Sequence, residues 1–173
     1  MEMNDTRLIA ADQQTVWAAL LDPEVLKACV PGCQSFTGTP EDGFEATVVQ
    51  KVGPVKATFK GAVALSEMAP PDQVRITGEG KGGPAGFAKG GALVTLKAAP
   101  GGTEITYAVE AKVGGKLAQL GSRIIDSFAR KMADQFFEKF QAEVEGAAPA
   151  PAEAAASEDE APKKGWFRRL VGA

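Results

Sequence analysis

The feature that most constrains this chain is one apolar stripe near its C-terminal end. Leu117, Leu120, Ile124, Phe128, Met132, Phe136, Phe140 and Val144 recur at three- and four-residue spacing, while Lys131, Asp134, Glu138 and Lys139 fall on other faces. The spacing predicts one long helix over residues 116–144. At about 1.5 Å per residue it is roughly 45 Å long, enough to cross a small domain. Such a helix cannot bury its stripe alone, so the rest of the fold must supply a matching apolar surface.

That surface is legible upstream, where the period changes to two. In PVKATFKGAVALSE the residues Val55, Ala57, Phe59, Gly61, Val63 and Leu65 share one face, and Lys56, Thr58, Lys60 and Ser66 share the other. This is the pattern of an antiparallel strand with one wet side. A turn at Pro70-Pro71-Asp72 leads to QVRITGEG. GGALVTLKAAP is the next strand, and Pro100-Gly101-Gly102 is a hairpin turn. In TEITYAVEAKVGG the alternation puts Ile105, Tyr107, Val109, Ala111 and Val113 on one side, and Gly114-Gly115 ends the sheet.

The N-terminal part reads as a short strand near residues 6–10 followed by two short helices. Asp12 precedes Val16, Trp17, Leu20 and Leu21 and suits an N-cap. Asp22-Pro23 starts the second helix, with Val25, Leu26 and Val30 on it, and Pro31-Gly32 stops it. A short strand near Phe36 and a turn at residues 40–43 come next. The fold class is therefore α+β: a curved antiparallel sheet of about six to seven strands wrapped around the long C-terminal helix. The two short helices after the first strand are placed to cover the gap.

Composition narrows the chemistry. The 173 residues are 45% hydrophobic with a net charge of −3, enough for a core without disulfides and no global case for nucleic acid. The chain has no histidine, which removes Ser-His-Asp and Cys-His triads and histidine-ligated zinc. The N-terminus carries neither a basic stretch nor an apolar run of the signal-peptide kind, and no segment reaches about 18 uncharged apolar residues. A cytoplasmic protein is expected.

Four local motifs admit both structural and functional readings. GEGKGGPAGFAKGG lacks the Gly-Lys-Ser/Thr of a phosphate loop and opens a strand instead of a helix, so it reads as a hairpin with bent strands. Lys81 and Lys89 in it can steer an acidic partner. Cys29 and Cys33 have neither CxxC spacing nor further ligands, and read as packed, reduced thiols. Arg123, beside Ile124 and Ile125, reads as solvated or capping ahead of a ligand contact. Tyr107 is the single tyrosine, on the inward strand face. Its hydroxyl needs a partner when buried, either a side chain or the carbonyl of a bound molecule.

Opposite the helix stripe stand small residues: Ala57, Gly61, Gly90, Ala92 and Ala111. They fill little volume against a concave sheet. The expected result is a dry cavity lined by Phe59, Val63, Val94, Tyr107, Leu117, Leu120, Ile124, Phe128 and Met132, suited to a flat apolar ligand. Glu45, Glu79, Glu104 and Glu110 fall on wet strand faces, so a cyclase or hydrolase mechanism inside the cavity ranks last.

The C-terminal segment is of a different kind. Residues 1–145 form the expected globular domain. GAAPAPAEAAASEDEAPKKG, residues 146–165, has no periodicity and no aromatic residue, and reads as a disordered tether. About 20 such residues span roughly 25 Å root-mean-square. The tip, residues 166–173, places Trp166, Phe167, Leu170 and Val171 on one side of a short amphipathic segment flanked by Arg168 and Arg169, with Lys163 and Lys164 before it. Aromatic residues with cations favour an anionic membrane surface, at about 1 kcal/mol per cation. A groove in a partner protein is the competing occupant.

The order of elements resembles the helix-grip fold of the START/SRPBCC ligand-binding superfamily. More narrowly, the chain resembles the CoxG family, associated with CO dehydrogenase. DPEVLKACVPGC (22–33), KVGPVKATFKGAVAL (51–65), GEGKGGPAGFAKGGALVTL (78–96) and GGKLAQLGSRIIDSFARKMADQFFEKF (114–140) carry the match. The resemblance implies a non-catalytic accessory protein of an aerobic molybdenum-type CO dehydrogenase or related hydroxylase, with no covalent cofactor of its own. It also implies recruitment of the enzyme to the inner face of the cell membrane, and a lipophilic ligand. A respiratory quinone, menaquinone or ubiquinone, joins these ideas, because the dehydrogenase's electrons must reach the membrane. A purely structural adaptor without a ligand is the alternative.

Overall fold

The computed structural model describes residues 1–147. The expected tip (Lys163, Lys164, Trp166, Phe167, Arg168, Arg169, Leu170, Val171) and nearly all of the expected tether lie outside the described residues.

Alternation over most of the chain produces seven strands: β1 (Glu2–Ile9), β2 (Cys33–Thr39), β3 (Gly43–Val52), β4 (Val55–Ala69), β5 (Gln73–Lys81), β6 (Phe87–Ala99) and β7 (Gly102–Gly114). They form one fully antiparallel sheet in the order β1-β7-β6-β5-β4-β3-β2, so all neighbours are sequential hairpins except β1, which pairs with β7. The first strand is longer than its weak alternation suggested, because it is set by register with β7 over eight residue pairs, from Glu2 opposite Glu110 to Ile9 opposite Thr103.

The two short helices are α1 (Gln13–Leu20) and α2 (Pro23–Cys29). Asp22 caps α2, its carboxylate accepting from the Glu24 amide at 2.9 Å, with Pro23 at the first helical position. Asp12 occupies the N-cap position of α1, but its carboxylate accepts from the Thr15 hydroxyl and not from a backbone amide. That bond holds the Asp12 carboxyl below the usual aspartate range.

The expected single long helix is two pieces, α3 (Lys116–Gln119) and α4 (Ser122–Ala147). Gly121 separates them with φ +90°, a conformation that suits glycine and ends the first turn. The 26 residues of α4 make a rod of about 39 Å.

The core is concentrated at one end of this rod. Phe137, Phe140 and Val144 pack with Ile9, Val16, Trp17, Leu20, Cys29 and Ile105 in one buried cluster. A further polar tie sits there: the buried Thr103 hydroxyl donates to the Ala11 carbonyl at 2.7 Å. Among the described residues, no helix is long and apolar enough to cross a membrane.

Candidate functional site: an apolar cavity between sheet and helix

At the other end of α4 the side chains do not meet. Phe36, Val48, Phe59, Val63, Leu65, Ile76, Phe128, Met132 and Phe136 all face inward yet stay partly solvent-accessible. They surround a cavity of about 610 Å³. Nearly all of its wall is carbon. Among the described residues, no Asp, Glu, Lys or Arg side chain lines it, and the polar side chains at its surface are Tyr107 and Gln50. Gln50 donates from Nε2 to the Pro31 carbonyl, which ties β3 to the end of α2.

Of the nine residues the sequence pattern nominated, the structure brings seven together around this space: Phe59, Val63, Val94, Tyr107, Leu117, Phe128 and Met132. Leu120 and Ile124 are not part of the wall. On α4 the wall is given by Ile125, Phe128, Ala129, Met132 and Ala133; Ile124 falls just beyond the Phe128 edge of that face, and Leu120 stands before the break at Gly121. Leu120 and Ile124 lie outside, against the tip of the β3–β4 hairpin. A Cβ built on Gly53 would stand 3.6 Å from Ile124 Cγ2 and 4.0 Å from Leu120 Cδ2. Arg123 is exposed, consistent with its solvated reading.

The pattern missed the wall given by Leu26, Val30, Pro31, Phe36, Phe44 and Val48. The alternation Phe44, Ala46, Val48, Gln50, Val52 was the available signal, and the polar Gln50 in its middle obscured it. The small residues divide into two groups. Ala92 and Ala111 line the cavity. Gly90 answers a backbone need, because a Cβ there would run into the Glu110 carbonyl and the Ala111 backbone.

Tyr107 sits in a built polar corner. Its ring stacks on Phe137 with centroids 4.8 Å apart and planes at 17°. Its hydroxyl accepts from Arg7 Nη2 at 3.4 Å, and the same nitrogen donates to Asp134 Oδ1 at 2.5 Å. The Arg7 guanidinium also lies over the Phe137 ring, 5.1 Å from its centroid. With its oxygen engaged as acceptor, the Tyr107 hydroxyl keeps its proton for donation. Nothing in the sequence pattern singled out Arg7, an isolated cation on the first strand.

The two cysteines are free thiols. Burial pushes the Cys29 thiol up to about 11, with the Glu143 carboxylate adding in the same direction. Burial also raises Cys33, whose Sγ donates to the Ser35 carbonyl at 3.2 Å. Both shifts oppose thiolate formation, which fits packed thiols. Among the described residues, no group of three or more Cys, Asp or Glu side chains is arranged to hold a metal ion. Glu45, Glu79, Glu104 and Glu110 are absent from the cavity wall.

A curved antiparallel sheet closed over a long C-terminal helix, with an apolar hollow between them, defines the helix-grip fold. Its similarity to solved structures agrees. A conserved protein from Geobacillus kaustophilus is 28% identical, with a TM-score of 0.78 over 84% of this chain and 96% of that one. A protein from Chromobacterium violaceum (18% identity, TM-score 0.61, 83% and 97% coverage) and one from Thermus thermophilus (14%, 0.64, 85% and 99%) share the fold. No curated protein matches the sequence. The model of the carbon monoxide dehydrogenase CoxG family matches residues 6–145, and the chain belongs to that family.

Proposed function

We propose that this protein is a non-catalytic carrier that holds a lipophilic molecule, a respiratory quinone such as menaquinone or ubiquinone, and links a CO dehydrogenase to the membrane. The cavity carries this reading: about 610 Å³ of carbon-lined space with Tyr107 in its wall, its hydroxyl oxygen accepting from Arg7. The volume lies within the range of small-molecule sites, about 300–1,000 Å³. Its few polar groups fit a ring with a carbonyl at one point and hydrocarbon everywhere else. Removing roughly 300 Å² of apolar ligand surface from water contributes about 7 kcal/mol before the costs of association. Membership of the CoxG family supports the dehydrogenase as the partner. The basic-aromatic residues 163–171 supply the attachment to an anionic bilayer in this reading.

Mass spectrometry of organic extracts from the purified protein tests the proposal. A quinone or other isoprenoid lipid in stoichiometric amount is expected. Extracts repeatedly free of any lipophilic molecule, together with no uptake of added quinone, overturn the carrier reading.

A further inference from the structure

Charge is distributed unevenly along the barrel. Three segments meet at the end of the sheet where α4 begins: the β3–β4 hairpin (50–61), the β5–β6 connection (80–91) and the stretch from the end of β7 into α4 (111–125). They contain Lys51, Lys56, Lys60, Lys81, Lys89, Lys112, Lys116 and Arg123, eight of the chain's 19 lysines and arginines, and are bordered by three acids, Glu79, Glu110 and Asp126. All eight side chains are exposed, and none forms an ion pair within the described residues.

Register makes this arrangement costly for the fold. Lys51 stands directly opposite Lys56, Lys60 opposite Lys81, and Lys89 opposite Lys112. Like charges paired across antiparallel strands repel, and Glu79, opposite Lys89, is the acidic residue in register with this group. Stability alone does not account for three such pairs at one end of one sheet. The same end also bears apolar side chains in water: Phe87 is 39% exposed and Ile124 38%. Pro54 is exposed and Leu120 half-buried beside them. The cavity wall reaches this end at Val52, Phe59, Ala88, Val113 and Leu117.

We infer that this end of the barrel is a membrane-docking face, which rests its cations on anionic lipid headgroups and its apolar side chains at the acyl boundary. Dispersed lysines around protruding apolar groups match a fluid anionic surface, where each cation finds its own phosphate. The inference deepens the carrier reading, because it brings the cavity's lysine-rich end to the bilayer in which a lipophilic ligand dissolves. It does not depend on the C-terminal tip, and the folded domain and the tip then make two contacts with one surface.

The test uses the full chain and vesicles of phosphatidylglycerol mixed with phosphatidylcholine. The variant Lys56→Gln/Lys60→Gln/Lys81→Gln/Lys89→Gln is compared with Lys27→Gln/Lys97→Gln/Lys139→Gln, which removes exposed cations elsewhere on the domain. Each headgroup contact near the surface is worth about fivefold in binding, so the first variant is expected to lose at least about tenfold and the second much less. Melting temperatures of both variants are expected close to the native value, the lost lysine–lysine repulsion offsetting the lost Lys89–Glu79 attraction, and they exclude misfolding as the cause. An Ile124→Trp substitution in a Trp166→Phe background should be quenched by brominated phosphatidylglycerol. Equal vesicle binding by all variants, or an unquenched Trp at 124, overturns the inference. So does unchanged vesicle binding with lost binding to purified dehydrogenase, which assigns the face to an acidic protein. Ligand in organic extracts reports on the cavity alone. An empty cavity with intact, lysine-dependent vesicle binding fails the carrier reading and leaves this face standing.

Discussion

Arg7 on the edge strand β1 reaches Asp134 on α4, Nη2 to Oδ1 at 2.5 Å, and in doing so lies over the Phe137 ring that stacks on Tyr107. Asp134 is 70% exposed, so the ion pair itself is screened and contributes little. The guanidinium matters more as a cation over the Phe137 ring and as the donor to the Tyr107 hydroxyl. Arg7→Ala is therefore expected to destabilise the fold by about 1–2 kcal/mol, and Asp134→Ala by less than about 1 kcal/mol. Urea denaturation of both variants measures the difference, and equal losses contradict this division of roles.

Tyr107→Phe separates recognition from folding. It leaves the ring stack intact and removes the hydroxyl. A quinone carbonyl that accepts from this hydroxyl loses one hydrogen bond, about 1 kcal/mol or roughly fivefold in Kd. Fluorescence titration with a soluble short-chain quinone reads the change. A tyrosine with only a structural role gives an unchanged Kd.

Ala129 faces the hollow from the middle of the lining face of α4. In a tightly packed interior, a large residue there costs about 1–3 kcal/mol. Here Ala129→Phe is expected to be tolerated within about 1 kcal/mol, since the ring enters vacant space, and to abolish ligand uptake. Thermal melting and extraction of bound lipid together decide it.

The Cys29 thiol gives the protein a basic limit. Its folded value, about 11, lies above the ordinary 9.0 that it recovers on unfolding. Below pH 9 both states hold the proton and stability does not vary through this group. As pH rises from 9 towards 11 the unfolded chain ionises first, so stability falls across that window. Melting temperatures measured across it should decline in the native protein and decline less in Cys29→Ala, compared with each variant's own neutral value. Alkylation by iodoacetamide at pH 8 should be slow until denaturant is added.

The strands and helices were legible wherever one period ran long enough. The alternation from Val55 to Leu65 and from Ile105 to Val113 placed the inward faces of β4 and β7 correctly. The helical stripe from Phe128 onward placed α4 against them. Misplacement began at Gly121. A stripe can be read through a glycine as if the helix continued, although the positive φ at Gly121 puts Leu120 before a break; Ile124, on α4 itself, was misplaced because the lining face is centred on Ile125, Ala129, Met132 and Phe136. Arg7 was illegible for another reason. Its importance comes from partners 100 and 127 residues away, Tyr107 and Asp134, and strand register sets that proximity. The lysine pairs are of the same kind: each lysine is ordinary in its own segment, and the repulsion exists only once the hairpins close.

The uneven packing along α4 has a mechanical consequence. Its last turns are clamped by Phe137, Phe140 and Val144 in the solid cluster with Ile9, Val16 and Trp17, while Ile125, Phe128 and Met132 rest on a hollow. The first half of the rod is held at its rim, where Ile124 meets the β3–β4 hairpin, and its inner face has fewer packed partners than the last turns. Backbone amides of residues 125–132 are accordingly expected to exchange with deuterium sooner than those of residues 137–144, and a molecule filling the hollow should slow the first group and leave the second unchanged.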